Sequence, residues 1–400
     1  MKLSETHYSG RLSAPASKSH GQRLLIAAAI SETFSPIKNL GTDRDTLAMQ
    51  AALKNLRSKQ QNSPIQLIDV GESGFALRTL AFVAHHFCSS YQLNGSGTIL
   101  QRTHWATIRL LEQLGLNVSH QDGKLPLEIN GTISNTQLEV DGTDGSQYVS
   151  GLFLLAAKHP GYWQITINNL NSRPYFEMTL EVLVQFGFKY QVIGNTYTFE
   201  GAQRLSCSNL CVEGDWSSVA AHLVAAAING EIQVSGLNPN SLQPDKNLLE
   251  ALTVYGAEIA WENETLLLKS TSHKRPFEFD FTQQPDLFPV MVVLACSVKG
   301  ISTLSGIHRL KNKESDRLQA MCEALSKWGV SYELNGMSLN VYGSGIIEAC
   351  HVNTYHDHRI VMAACIANML SAKVLLPTDS GALQKSYPGF LTDFQRLLKH

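Results

Sequence analysis

Leu180-Glu181-Val182-Leu183-Val184-Gln185-Phe186-Gly187-Phe188-Lys189-Tyr190 is the stretch from which the fold can be read. Leu180, Leu183 and Val184 recur at the i, i+3, i+4 spacing of an amphipathic helix. Gly187 then closes the helix, because glycine enters the left-handed conformation without Cβ strain. A short alternating run follows, as in a strand. The same device returns at 110–118, 249–259 and 321–332, closed by Gly115, Gly256 and Gly329. The four glycines fall 69 to 73 residues apart. Fainter copies without the glycine lie at 49–57 and from 390 to the C-terminus. A fixed period of this kind is the signature of a chain built from repeated supersecondary units.

A second element travels with the first. Nearly all-apolar, Ala-rich helices are expected at 24–30, 77–87, 151–158, 220–229, 288–298 and 360–370. Three are followed by a glycine and a strand-like run, at Gly161, Gly230 and Gly300. A helix apolar on most sides belongs inside protein. Six units, each with one buried helix, one amphipathic helix and a few strands, predict an α/β chain of two three-unit lobes.

The polar chemistry has a consistent address, because each buried helix is preceded by small, polar or basic residues. In order these are Ser17-Lys18-Ser19 with Arg23, Gly71-Glu72-Ser73-Gly74 with Arg78, Asp144-Gly145-Ser146-Gln147, Gly214-Asp215-Trp216-Ser217-Ser218, Gln284-Pro285-Asp286 and His356-Asp357-His358-Arg359. Serine, aspartate and glycine there are ordinary caps. Caps alone do not call for a lysine or arginine beside several of the six starts, whereas an anion held on unpaired helix N–H groups does. A site for phosphates and carboxylates assembled from several helix starts is therefore expected. Lys313-Glu314-Ser315-Asp316-Arg317 adds four charges in five residues before an amphipathic helix. It reads either as a capped first turn or as a lysine and carboxylate placed for proton transfer, with Arg317 as an anion clamp.

Composition bounds the partners. The 400 residues suffice for two or three domains, and 44% hydrophobic content fills their cores without staples. Lys and Arg total 32 against 34 Asp and Glu, so no general basic field exists for nucleic acid, and any anion site is local. The seven cysteines are scattered with no C-x-x-C, which suits free thiols in a reducing compartment rather than disulfides or zinc. His356-x-His358 reads as loop polarity, and no metal or cofactor is expected. The start Met1-Lys2-Leu3-Ser4-Glu5 has no apolar core of a signal peptide, and no apolar run approaches a membrane span. A cytoplasmic protein, without nucleic-acid or membrane partner, is the expectation.

Several of these motifs together resemble a known family. Pro15-Ala16-Ser17-Lys18-Ser19-x-x-x-Arg23, Lys313-Glu314-Ser315-Asp316-Arg317-Leu318 and Tyr355-His356-Asp357-His358-Arg359 are similar to three signatures of the EPSP synthases. Arg173-Pro174-Tyr175 and Val212-Glu213-Gly214-Asp215-x-Ser217-Ser218 match as well. The matches run in order over nearly the whole chain. The resemblance implies transfer of the enolpyruvyl group of phosphoenolpyruvate to the 5-hydroxyl of shikimate 3-phosphate, with release of phosphate. It also implies the enolpyruvyl transferase-like inside-out barrel, in which 1–16 and 213–400 form one lobe, 17–212 an inserted lobe, and the active site the cleft between them. A monomer acting on two small anionic substrates is expected.

Carried over by residue, the resemblance assigns Lys18, Ser19, Arg23, Ser146, Gln147, Ser172, Tyr175, Asp286 and Lys313 to shikimate 3-phosphate. It assigns Lys18, Gly74, Arg102, Gln147, Arg317, Arg359 and Lys385 to phosphoenolpyruvate, and Asp286, Lys313 and Glu314 to catalysis. Several positions depart from the family pattern, among them Ser73 before Gly74 and Thr103 in place of the Pro after Arg102. Glu72 and Phe75 flank Gly74, Thr79 replaces the Pro after Arg78, Gly145 replaces a Ser, and Arg309 stands where some members have Asn. Phe75 is expected to narrow the donor site and Thr79 to loosen a helix start. Two rival readings are UDP-N-acetylglucosamine 1-carboxyvinyltransferase, which shares fold and donor, and a non-catalytic repeat scaffold. Ser17-Lys18-Ser19 and Ser146-Gln147 argue against the first, and Asp286, Lys313 and Glu314 against the second.

Overall fold

One crossover motif, repeated, accounts for most of the chain. In the copy that begins at Gln137, a strand (Gln137–Asp141) leads into a buried helix and a second, parallel strand (Tyr162–Asn168). An amphipathic helix then precedes a hairpin of Gln191–Ile193 and Thr196–Glu200. The hairpin returns antiparallel to the second strand, Thr196 opposite Thr166. Parallel neighbours need a crossover, which the buried helix supplies. Trp163, Ile165 and Ile167 alternate inward along the second strand, with their neighbours facing outward. Sheets starting at Gln66–Asp69 and Glu278–Asp280 have the same order and sense of strands.

The computed structural model describes residues 6–58, 65–371, 375, 377 and 379–399. The stretch 1–5, read above for a signal peptide, and residue 400 lie outside the described residues. The described helices are α1 (Lys18–Ile30), α2 (Arg44–Arg57), α3 (Gly74–Val83), α4 (Trp105–Gln113), α5 (Gln147–Ala156), α6 (Arg173–Gln185), α7 (Trp216–Asn229), α8 (Leu248–Tyr255), α9 (Phe288–Cys296), α10 (Arg317–Lys327), α11 (His358–Ala367) and α12 (Phe390–Leu397). The odd-numbered ones are the six buried helices. Every residue of α9 is buried, as is all of α5 except Gln147. The glycines that close the amphipathic helices take positive φ: +93° at Gly115, +94° at Gly187, +115° at Gly256 and +69° at Gly329.

The chain forms two compact units, Met1–Ser17 with Glu213–His400, and Lys18–Val212. The second is inserted into the first within a single motif. Strand His7–Ser13 begins it, and α7 with the parallel strand Gly230–Ser235 completes it, Tyr8 opposite Gly230. The ends of the interrupted unit are tied by Ser17 N–H to the Glu213 carbonyl and Asp215 N–H to the Pro15 carbonyl, each 2.8 Å. In the inserted unit the third copy is short. Strand Ser206–Cys207 pairs parallel with Thr33–Phe34 beside α1 and α2, with no hairpin among the described residues. In the other unit α11 and α12 represent the third copy, part of which falls outside the described residues. No described helix is long and apolar enough to cross a membrane.

Five of the six buried helices begin earlier than expected: α1, α3, α5, α7 and α11, expected from residues 24, 77, 151, 220 and 360, begin at Lys18, Gly74, Gln147, Trp216 and His358. The helix expected from residue 77 begins at Gly74, capped by Ser73, whose Oγ accepts the Ala76 N–H at 3.2 Å. Thr79 therefore lies in the second turn of α3 and not at its start. Its hydroxyl donates to the Phe75 carbonyl at 2.7 Å, a back-bond that no proline could make.

Candidate active site

In the unit that carries both termini, one buried guanidinium gathers three carboxylates. Asp316 caps α10 by accepting the Gln319 N–H at 3.0 Å, and this sets Arg317 at the first helical position. Arg317 donates through Nε to Asp357 at 2.8 Å, through Nη1 to Asp286 at 2.6 Å and through Nη2 to Glu314 at 2.9 Å. Its side chain is 1% exposed. Burial alone would lower its pKa, but Asp357, Asp286 and Glu314 outweigh that and raise it well above the usual value. Asp286 sits in the 3-10 turn that leads into α9, with Lys313 Nζ at 4.0 Å and Arg359 Nη2 at 3.8 Å. Burial pushes its carboxyl up, yet Arg317, Lys313 and Arg359 together hold it well below the carboxylate range. Burial also brings the Lys313 ammonium down to about 8, with Asp286 opposing and Arg309 and Arg317 adding to the shift.

Asp357 organises this cluster. Besides Arg317 it accepts the Ser315 hydroxyl at 3.0 Å and the Arg359 N–H at 2.9 Å, so it caps α11 and fixes Arg317 at once. Tyr355 and His356, just before it, both hold left-handed backbone, φ +50° and +54°. Strain of this kind in non-glycine residues persists where the surroundings over-determine it. Arg359 runs from α11 to donate to the Ser217 carbonyl at 2.6 Å. Lys385, buried, ends a 3-10 turn (Ser380–Lys385) that packs on α11. The two histidines of His356-x-His358 diverge. His356 is exposed and pairs with Asp379 at 2.7 Å, while His358 is buried in the first turn of α11.

In the inserted unit the cations again sit at helix starts. Lys18, first residue of α1, pairs with Asp45 at 3.0 Å. Arg23, one turn further on and 1% exposed, donates to the Thr179 hydroxyl and to the Ser19 and Tyr175 carbonyls, each at 2.7 Å. It has no carboxylate partner among the described residues, and burial draws its guanidinium down to about 9. Phe75 lies beneath it, 4.5 Å from the guanidinium carbon to the ring centre. Phe75 is thus a buried wall of the Arg23 site, and its ring is taken up by that contact. Ser172 precedes α6 in left-handed backbone, φ +54°. Ser146 is buried at the start of α5 and makes no cap hydrogen bond.

Gly74, Arg78, Arg102 and Gln147 form a third group. Arg78 Nη1 bonds Gln147 Oε1 at 2.8 Å and the Gly74 carbonyl at 3.3 Å. A Cβ on Gly74 would lie 2.8 Å from Arg78 Nη1 and 3.7 Å from Arg102 Nη1. Glu72 turns towards Gly97, where an added Cβ would meet its carboxylate carbon at 2.4 Å. Gly145 needs its missing side chain, since its φ is +116° and a serine there would be strained. Arg309 donates to the Thr282 carbonyl at 3.0 Å and raises the positive field on Lys313. Sequence reasoning named Asp357 at a helix start without giving it a role, and missed Asp45 and Thr179. Asp45 opens an amphipathic helix, whereas the search for polar starts followed the buried ones.

Two α/β units of repeated crossover motifs, with arginines and lysines at the helix starts, are the architecture of the enolpyruvyl transferases. The EPSP synthase from Acinetobacter baumannii superposes with a TM-score of 0.82 at 20% identity, over 100% of this chain and 98% of that one. The enolpyruvyl transferase NikO from Streptomyces tendae superposes with a TM-score of 0.73 at 13% identity, over 99% and 97%. A family model described as EPSP synthase (3-phosphoshikimate 1-carboxyvinyltransferase) matches residues 4–394, and the chain belongs to that family. The 3-phosphoshikimate 1-carboxyvinyltransferase of Methanocorpusculum labreanum is 30% identical over 99% of this chain and 98% of its own. That of Aeropyrum pernix is 32% identical over 97% and 93%.

Proposed function

We propose that this chain transfers the enolpyruvyl group of phosphoenolpyruvate to the 5-hydroxyl of shikimate 3-phosphate and releases phosphate, a step towards chorismate and the aromatic amino acids. The observation that carries the reading is the Asp286–Lys313–Glu314–Arg317 assembly. It combines a buried guanidinium hydrogen-bonded to two carboxylates with an ammonium, shifted to about 8, at 4.0 Å from Asp286. The hydroxyl oxygen adds to C2 of the donor while its proton leaves to Asp286. A proton reaches the C3 methylene from Lys313, with Glu314 beside it, and the reverse transfer from the new methyl group expels phosphate. An ammonium near neutrality suits this two-way traffic.

Asp286, held by Arg317, is a weak base as it stands. A donor anion on Arg317 competes for the guanidinium and lifts Asp286 towards the range where a carboxylate accepts a hydroxyl proton. Arg359 and Lys385 are proposed as further cations for the donor, and the same reading assigns to it Lys18 and Arg102 as cations and Gly74 and Gln147 as uncharged contacts. The acceptor takes Lys18, Ser19, Arg23, Ser146, Gln147, Ser172 and Tyr175, with Asp286 and Lys313. Arg23, buried without a carboxylate partner among the described residues, supports an anion there. Two polyanionic substrates account for so many cations at helix starts. We place the enzyme in the cytoplasm as a monomer. All seven cysteines are free thiols, which supports a reducing compartment.

Phosphate release from phosphoenolpyruvate, measured with shikimate 3-phosphate and with UDP-N-acetylglucosamine, tests the reading. Turnover with the first alone is expected. Turnover with the second, or with neither, overturns it.

A further inference from the structure

Arg102, which reaches towards Gly74, and His104 two residues on carry three buried polar atoms without a close hydrogen bond. His104 is 2% exposed and stands immediately before α4, where its backbone N–H donates to the Gly123 carbonyl at 2.7 Å. Its ring does not cap the helix; the Ile99 carbonyl faces it as a weak backbone partner, and no side chain among the described residues hydrogen-bonds either ring nitrogen. The buried Nε of Arg102 has no hydrogen-bond partner among the described residues. The Arg102 guanidinium is otherwise tethered only loosely, Nη2 to the Thr98 hydroxyl at 3.1 Å. Buried donors and acceptors left unpaired are uncommon and destabilising. Here the Arg102 Nε–H donor and the one acceptor nitrogen of the imidazole belong to residues two apart that act on each other electrostatically, next to the helix start where Arg78 and Arg102 converge on Gly74.

The charged neighbours of His104 are Arg78 and Arg102. Burial, then these two cations, bring its imidazole down to about 3, against an opposing pull from the Ile99 carbonyl. The ring is therefore neutral at physiological pH, and one of its nitrogens is always a lone-pair acceptor. An arginine anchored through Nε keeps both Nη groups in one plane for two-point contact with a carboxylate or phosphate.

We infer that His104 is a positioning residue for the donor anion: its ring nitrogen accepts the Arg102 Nε–H when that guanidinium leaves Thr98 and turns onto the anion at the start of α3. The inference rests on the reading that this helix start takes phosphoenolpyruvate. The bland alternative is a histidine that only fills space before α4.

Two variants separate these. His104→Met fills the volume without an acceptor, and His104→Gln keeps one. For each, KM values for both substrates, kcat and the midpoint of thermal unfolding are measured, with the dissociation constant of phosphoenolpyruvate by calorimetry. His104→Met should raise the phosphoenolpyruvate KM and dissociation constant about tenfold or more while the acceptor KM stays within about twofold, the loss of one hydrogen bond to a charged group. Its unfolding midpoint should not fall, because it removes two buried polar atoms that lack a close hydrogen bond. His104→Gln should recover most of the donor affinity. Unchanged donor binding in His104→Met overturns the inference, as does a Gln variant no better than Met. So does a drop in folding stability of His104→Met in step with both KM values, which makes the residue structural. Absence of turnover in the unaltered enzyme, with donor affinity still depending on residue 104, would instead sink the assigned reaction and leave this inference standing.

Discussion

Gly74→Ala would place a methyl group 2.8 Å from Nη1 of Arg78 and 3.7 Å from Nη1 of Arg102. The second distance is ordinary contact, but the first is not, so the Arg78 guanidinium has to retreat. It holds Gln147 at 2.8 Å and the Gly74 carbonyl at 3.3 Å, and both contacts weaken as it moves. A hydrogen bond to a charged group is worth about 1.5–3 kcal/mol, which corresponds to roughly ten- to a hundredfold in affinity for an anion bound there. Folding is spared, because alanine at a helical position gains up to about 1 kcal/mol over glycine. The expected result is a phosphoenolpyruvate KM raised about tenfold, with little change in the shikimate 3-phosphate KM or in the unfolding midpoint. The resemblance to the EPSP synthases also implies that glyphosate, an inhibitor longer than the donor, binds at this site, and Gly74→Ala should weaken it more than the donor. The assay is steady-state phosphate release with each substrate varied, with and without inhibitor. A variant with the wild-type donor KM and inhibitor constant would place Gly74 outside the donor site.

Other perturbations probe the second cluster. Asp286→Asn should fold normally and lower kcat about a hundredfold or more, as loss of a positioned acid–base group does; near-normal turnover in a folded variant refutes its role. Lys313, brought down to about 8, should give kcat/KM a basic limb near that pH, because activity falls as the ammonium loses its proton. Lys313→Arg should lose that limb, and a limb that persists there belongs to another group. Asp357→Ala removes four hydrogen-bond contacts, two of them from Arg317, and exposes the cost of an under-compensated buried cation. Glu314 and Asp286 still face Arg317, so the loss should lie towards the lower end of the usual ~3–5 kcal/mol. Chemical denaturation measures it, and a loss under about 1 kcal/mol would mean that Asp357 is not the residue that holds Arg317.

The repeat was legible because its determinants are local. Whether residues 180–190 form a helix that stops at Gly187 depends on the spacing of apolar side chains and on the one residue that tolerates positive φ. The same holds for the six buried helices, whose composition leaves them no stable place but an interior. The address of the chemistry followed from the helix starts, since unpaired N–H groups are a property of any helix. Five of the six buried helices begin before their apolar runs, because polar caps and first turns, such as Ser73 before α3 and Asp215 before α7, carry no hydrophobic signal.

What the sequence could not determine was who pairs with whom. Lys18 meets Asp45 across 27 residues, Arg317 meets Asp286 across 31 and Asp357 across 40, and Arg23 meets Thr179 across 156. Asp286, Glu314 and Asp357 look alike in the chain as acids near helix starts. Only their positions in space make Asp357 the fixed support of Arg317 and leave Asp286, one-third exposed, at the edge of the cluster. Likewise nothing in Arg102-Thr103-His104 announces that three of its side-chain nitrogens are buried without a close hydrogen bond. Helices are decided by neighbours along the chain. Charges are decided by neighbours through space and by how much water the packed units leave around them, so the protonation of Lys313, Asp286 and His104 belongs to the tertiary structure alone.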